Sequence, residues 1–353
     1  MILRGEGGRS DFAADYVSAR ALLDRTDPYP VLGPAFENVG LDWQITTRST
    51  HPPTVGLLAL PVARLSWPMA AAVWGWAMLL AIVVAAWAIG FRIAWACAIG
   101  VLLVLIWPPA AWSIGQVTAL WLLGAALAWR WRERPFLAGL AIAIASMTKL
   151  LPALLLVPFL LRRRWGAALG FAVAWAVALL ALLALDPQSI SSFVRVEVNQ
   201  GAEERARGDN GALLEGARNH GGVLVALAAL LLVIVVAAVA FRQTKPDVPL
   251  SAAAYAKWVW LSVALLPVAW IYSLLPLALV LLVALWRGRV IAVLAAGAAI
   301  VLSVVMIPFR TDSSPLLIWA IARCGVALVP AARAGTGSTP RSEMTTTDIG
   351  HTS

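Results

Sequence analysis

Long runs without a single charged residue, 69–90, 165–185 and 222–241 among them, constrain this chain more than anything else in it. Each has about the 20 residues that a helix needs to cross a hydrocarbon core ~30 Å thick. Lipid offers the backbone no hydrogen-bond partner, so runs of this kind must close their own N–H and C=O groups as helices. The rest of the chain agrees: 61% of its residues are hydrophobic and 13% charged, against about 25% charged in a soluble domain. The expected fold is all-α, a polytopic transmembrane helical bundle. Further spans are expected near 93–108, 115–131, 136–161, 251–286 (split near Pro267), 290–309 and 314–330, for about ten or eleven membrane segments. Segment 54–67, broken by Pro61, is too short to span and reads as an interfacial helix with Trp67 at headgroup level.

The net charge of +9 would suggest nucleic acid in a soluble protein. Here the arginines flank spans, where positive residues mark cytoplasmic loops, and no nucleic-acid partner is expected. RWRER (130–134) precedes segment 136–161 and RRR (162–164) follows it. Both ends therefore belong in the cytoplasm, which predicts a short hairpin, 136–148 and 150–161, with Lys149 at its tip. FRQTK (241–245) and WRGR (286–289) then also fall inside, and loops 108–114 and 267–270, which carry no Lys or Arg, fall outside.

Two long polar segments, 1–54 and 186–221, hold most of the 18 acidic residues and lie on the extracytoplasmic side by the same count. The organisation expected is an extracytoplasmic juxtamembrane segment over 1–54, a bundle over 55–330 with outer loop 186–221, and a disordered cytoplasmic tail over 331–353. MILRGEGGRSDF carries charges where a signal peptide needs an apolar stretch, so none is expected. Two cysteines in apolar runs and three scattered histidines give no disulfide framework or metal spacing, and no phosphate loop, nucleophile elbow or kinase signature occurs.

Several residues suit chemistry at the outer face. Asp11 stands at the start of a helical pattern that ends at Asp-Pro-Tyr, as a helix cap or as a general base beside the membrane. His51, before Pro52 and Pro53, can meet a phosphate or simply water. Gln116, at the outer end of a span, is a helix–helix hydrogen bond or a headgroup contact. Lys149 is the sharpest: a Lys at bilayer depth costs about 2.5–3.5 kcal/mol, so it either snorkels to an interface or serves an anion. Trp270 and Tyr272 sit beside a helix broken by Pro267 and Pro276, where a cavity lining competes with an aromatic belt.

In order along the chain, DFAADYVSARALLDRTDPY, HPPTVGLLALP, GQVTALWLLGAAL and PFLAGLAIAIASMTKLLPALLLVPFLLRRRW resemble glycosyltransferase family 87 of the GT-C superfamily, over roughly residues 11–290. DNGALLEG resembles the family's N-x-S-L-x-G loop, with Asn210 in place and Ala212 where Ser is usual. The resemblance implies a GT-C-like bundle in the plasma membrane with an extracytoplasmic site. The implied partners are a polyprenyl-phosphate sugar donor, most often mannose, a lipid or glycan acceptor, and membrane lipids. It implies inversion at the anomeric carbon and no nucleotide, cofactor or obligatory metal. Asp11 becomes the general base, Lys149 the lysine of the K-x-x-P element, and Gln116, Asn210, Tyr272, Trp270 and His51 candidate substrate contacts. Arg205, Arg207 or Arg218 would share the leaving phosphate. The chain departs from the family twice. Ten residues precede Asp11 where the family has a transmembrane helix, and L-P-V-A-W-I-Y-S lacks the family's His near Tyr272. A lipid-linked sugar transporter and a catalytically inactive relative stand as alternatives.

Overall fold

A computed structural model describes residues 10–43, 46–106, 115–206, 212–267 and 271–277. The expected spans 290–309 and 314–330, loops 108–114 and 268–270, and the tail 331–353 lie outside them. The described residues form an all-helical bundle. Its helices are α1 (Ser10–Leu23), α2 (Leu32–Glu37), α3 (Pro53–Ala59), α4 (Trp67–Ile89), α5 (Ile93–Ile106) and α6 (Thr118–Arg130). They continue as α7 (Pro135–Thr148), α8 (Val157–Leu161), α9 (Trp165–Leu185), α10 (Ser189–Ala206), α11 (Leu213–Gln243) and α12 (Ala252–Ala264). Short 3₁₀ turns cover Leu60–Val62, Leu151–Leu156 and Ile271–Leu277.

Among the described residues, three helical stretches are long and apolar enough to cross a membrane: Trp67–Ile89, Trp165–Leu185 and Gly222–Gln243. The last two present bare apolar faces, with Leu180 67% and Leu224 81% exposed, as lipid-facing helices do. Helices α6 and α7 are shorter, about 20 Å each at 1.5 Å per residue, and their side chains are largely buried among neighbours. The sequence reading expected a span over 115–131 and, over 136–148, a hairpin arm too short to span alone; α6 and α7 occupy these stretches and pack chiefly against other helices.

Close approach of small residues holds the centre together, as in other membrane bundles. Gly139 faces the backbone of Ala167 and Phe171, and Gly170 faces that of Phe136 and Leu140. Further along, the Trp175 indole donates to Ser146 Oγ at 2.8 Å. These contacts make α7 and α9 parallel. The chain between them, 149–164, therefore returns to the end where α7 began, and Arg164 meets Glu133 there at 3.4 Å. This is the hairpin geometry expected from the charges, with the break falling at Lys149, whose backbone is extended.

The same reasoning sorts the other helices. Trp74 donates to the Gly115 carbonyl at 2.8 Å, and the Arg130 guanidinium lies 4.6 Å over the Trp87 ring, so α4 and α6 are parallel. Tyr255 of α12 donates to the Ala125 carbonyl, and Trp258 donates to Thr244 Oγ1 just beyond α11. One end of the bundle thus collects Arg92, Arg130, Arg132, Arg134 and the 162–164 triplet. The opposite end carries α1, α3, α10 and the Lys149 turn.

Three expectations need correction. Trp67 is not at an exposed headgroup level: it is 6% exposed, with its ring 5.6 Å from those of Phe12 and Tyr16 and 6.2 Å from that of Trp43. Aromatic stacking under α1 outweighs interfacial placement. Outer loop 186–221 is largely helical, because Ser189–Ala206 forms α10, and α11 begins at Leu213, before the apolar run, bending at Gly222 in a left-handed conformation (φ 69°). Finally, α1 starts at Ser10, so Asp11 falls in its first turn rather than ahead of it.

Candidate active site

Helix α1 is pinned by aromatic residues across the end of the bundle that carries the Lys149 turn. Phe12, fully buried, stacks on Trp74 at 4.8 Å as well as on Trp67. Burying a Phe contributes about 1.5–3 kcal/mol. Gly115 sits directly beneath: a Cβ there would lie 2.5 Å from Phe12 Cβ, and its φ of 72° also requires glycine. One turn on, Tyr16 donates to the Leu65 carbonyl at 2.6 Å. These contacts fix the face of α1 that bears Asp11 and, at i+4, Asp15.

Segment 48–54 is brought to the same place. The Tyr29 hydroxyl donates to the His51 carbonyl at 2.9 Å, and Thr54 Oγ1 donates to the Met147 carbonyl at 2.6 Å. That second bond fastens the His-Pro-Pro elbow to the last turn of α7, two residues before Lys149. His51 Nδ1 comes to 2.6 Å from Asp15 Oδ1. Lys149 Nζ donates to Ser273 Oγ at 3.1 Å, tying the hairpin tip to the 3₁₀ turn Ile271–Leu277. Asp11 acts electrostatically on Asp15, His51 and Lys149 alike, so the four titratable groups form one cluster.

The second Asp15 oxygen is buried and meets no hydrogen-bond partner among the described residues. Burial raises the Asp15 carboxyl above its ordinary range, and His51 only partly offsets this. Burial likewise opposes charge on His51, yet the charge and hydrogen bond of Asp15, with Asp11 behind it, hold the imidazole above its usual value. The pair retains a shared proton where an isolated imidazole would have released its own. A cavity of about 10 Å³, room for one water, adjoins Asp15, Ser18, Tyr29, Ser49 and His51.

The sequence-derived candidates separate clearly. Asp11, His51 and Lys149 come together. Gln116 lies at the same end of α6, 2% exposed; its Oε1 is 3.5 Å from Thr118 Oγ1, and its Nε2 finds no acceptor among the described residues. That buried, unused donor fits a bound ligand oxygen. Asn210, Trp270 and Arg207 lie outside the described residues, and of Tyr272 only the backbone, in the 3₁₀ turn, is described. Arg205 sits over Gly201 beside Glu197 on α10, and Arg218 is exposed on α11. Asp15, Ser273 and Tyr29 were not among the site residues expected from the sequence. The spacing of Asp15 from Asp11 was a usable signal, whereas nothing in the sequence pairs residue 149 with 273. Among the described residues no three His, Cys, Asp or Glu side chains gather to hold a metal ion.

Compared with known proteins, the chain matches the model of glycosyltransferase family 87 over residues 50–267. The matched stretch includes His51, Gln116 and Lys149, and begins after α1. No curated protein and no solved structure matches.

Proposed function

Because the chain belongs to glycosyltransferase family 87, a family of membrane glycosyltransferases, we propose that it transfers a sugar, mannose by preference, from a polyprenyl phosphate to a lipid or glycan acceptor at the extracytoplasmic face of the plasma membrane. What carries this reading is the gathering of Asp11 and Lys149 at the end of the bundle opposite Arg130–Arg134 and Arg162–Arg164. A carboxylate and an ammonium at the membrane boundary match the two charges that such a transfer moves.

In this mechanism an acceptor hydroxyl attacks the anomeric carbon while Asp11 takes its proton. The bond from that carbon to the phosphate oxygen breaks, and the electron pair leaves with polyprenyl phosphate. Attack opposite the leaving group inverts the centre. Lys149, held by Ser273 in a site with little water, stabilises the charge growing on the phosphate, and the free Gln116 amide donates to the donor headgroup. His51 and Asp15 stand one helical turn from Asp11, and their shared proton limits the negative charge beside it.

The donor class is tested by presenting vesicles containing the purified protein with radiolabelled mannose either on polyprenyl phosphate or on a nucleotide. Label reaching a glycolipid from the lipid donor alone supports the reading; label passing directly from the nucleotide sugar overturns it.

A further inference from the structure

A second, larger cleft of about 380 Å³ also borders Tyr29, between Asp27–Tyr29, Thr46–Arg48 and α10. Tyr29 lines both spaces, its hydroxyl bonded to the His51 carbonyl and its ring 5.9 Å from that of Phe193. One residue therefore lies between the cleft and the Asp15–His51 pair. On α10, Ser192, Arg195 and Asn199 recur at helical spacing and turn one face of the helix into the cleft. Gln200 closes the wall by accepting the Arg48 backbone N–H at 3.2 Å.

The two arginines differ. Arg48 is already engaged, with Asp27 at 3.3 Å and with the Tyr29 carbonyl. Arg195 makes no ion pair or hydrogen bond with any described residue. The cleft thus offers one uncommitted guanidinium beside the Arg48–Asp27 pair, among the amides of Asn199 and Gln200, the hydroxyls of Thr46 and Ser192, the Tyr29 ring and Val196, within the size range of small-molecule sites. A hydroxyl-rich group suits these amides and hydroxyls, and a lone guanidinium fork suits one phosphate.

We propose that this cleft is the acceptor subsite and that it takes a hydroxyl-rich headgroup carrying one phosphate, held by Arg195 and Asn199. The inference rests on the sugar-transfer reading above for the word acceptor, but the site's chemistry does not. The donor phosphate is assigned to Lys149, on the bundle side of His51. The cleft is built from extramembrane segments, where a headgroup lies, and its Tyr29 wall adjoins the Asp15–His51 pair, one helical turn along α1 from Asp11.

The test has two arms on the purified full-length protein. In the first, calorimetry compares binding of D-glucitol 6-phosphate with that of D-glucitol. The wild type should bind the phosphate ester at least about tenfold more tightly, and Arg195→Gln should erase that difference. Equal binding of the two probes, or an advantage that survives the substitution, overturns the site. In the second arm, a host-membrane lipid extract is titrated as acceptor at saturating polyprenyl-phosphate mannose. Arg195→Gln and Asn199→Ala should raise the acceptor KM about tenfold while donor KM and slow donor hydrolysis by water stay within about twofold. A rise in donor KM instead, or no change in acceptor KM, overturns the assignment. A wild type that binds the probe but transfers no sugar overturns the acceptor role alone and leaves a polyol-phosphate site. Both side chains are exposed on α10, so folding is not at stake.

Discussion

His51 Nδ1 lies 2.6 Å from Asp15 Oδ1, joining segment 48–54 to α1 through a carboxylate that is 1% exposed. Both groups bind protons more tightly in the folded protein than in the unfolded chain. The stability they contribute is therefore complete below their unfolded values, 6.5 for His51 and 3.8 for Asp15, and is lost as pH rises through the raised folded values. Wild-type thermal stability in detergent should fall as pH is raised above 6.5. His51→Gln should cost about 1.5–3 kcal/mol at lower pH and show a flatter alkaline profile. Parallel profiles for the two proteins would contradict a shared proton.

Lys149 is positioned by the hairpin break on one side and by Ser273 on the other. Lys149→Gln should lower kcat by roughly 10²–10³, the usual loss when a preorganised charge partner is removed, without unfolding the bundle. Ser273→Ala should cost only a few-fold, because it orients the ammonium and leaves its charge in place. Turnover rates of the two variants beside wild type, with circular dichroism as the control for folding, decide the point. A Lys149→Gln enzyme with normal kcat would remove this residue from the chemistry.

Gly139 and Gly170 set the distance between α7 and α9. A side chain at either position meets the backbone of the facing helix, of Ala167 and Phe136 respectively, and backbone cannot rotate away. Gly139→Val or Gly170→Val should destabilise the bundle by about 1–3 kcal/mol or more and lower the unfolding temperature in detergent. Gly40, whose added Cβ would meet nothing, has a φ of 80°, so Gly40→Asn, which tolerates that conformation, should be close to neutral.

The hairpin makes a topological prediction. Arg163 and Asp24 are both exposed but lie at opposite ends of the bundle. In a protein whose Cys97 and Cys324 are replaced by Ser, Asp24→Cys should react with an impermeant thiol reagent in intact cells. Arg163→Cys should react only after permeabilisation. Labelling of both from outside would require 136–161 to cross as one tilted helix.

The helices that face lipid and the hairpin were legible in the sequence for a simple reason: both follow from one-dimensional quantities, apolar run length and the placement of Arg around each run. The break at Lys149 was legible because 130–134 and 162–164 make the same demand from either side. The site was legible only in part. Gln116 and Lys149 stood out as polar residues where apolar ones are the rule, whereas Asp11 and His51 stood out at a helix start and before Pro52–Pro53 and through the family resemblance. The Asp15–His51 bond joins residues 36 positions apart, and the Lys149–Ser273 bond spans 124. Such pairings depend on how α1 and the Ile271–Leu277 turn pack, which no local pattern encodes. Trp67 misled for a related reason. A Trp at a span's end ordinarily marks the interface, but here Phe12 and Tyr16 cover it. Helix α10 was hidden by its polarity, because an extramembrane helix carries no long apolar run to announce it.

The most direct measurement is transfer of radiolabelled mannose from polyprenyl phosphate to endogenous glycolipid, with membranes containing the wild type compared with Asp11→Asn at equal protein levels. Asn keeps the size and the polarity of Asp but cannot take a proton. The account predicts a new labelled glycolipid with the wild type and a loss of about 10²–10⁴ in rate with Asp11→Asn, with donor binding retained. Undiminished transfer by Asp11→Asn would contradict it, and so would transport of intact donor across vesicles without any sugar transfer.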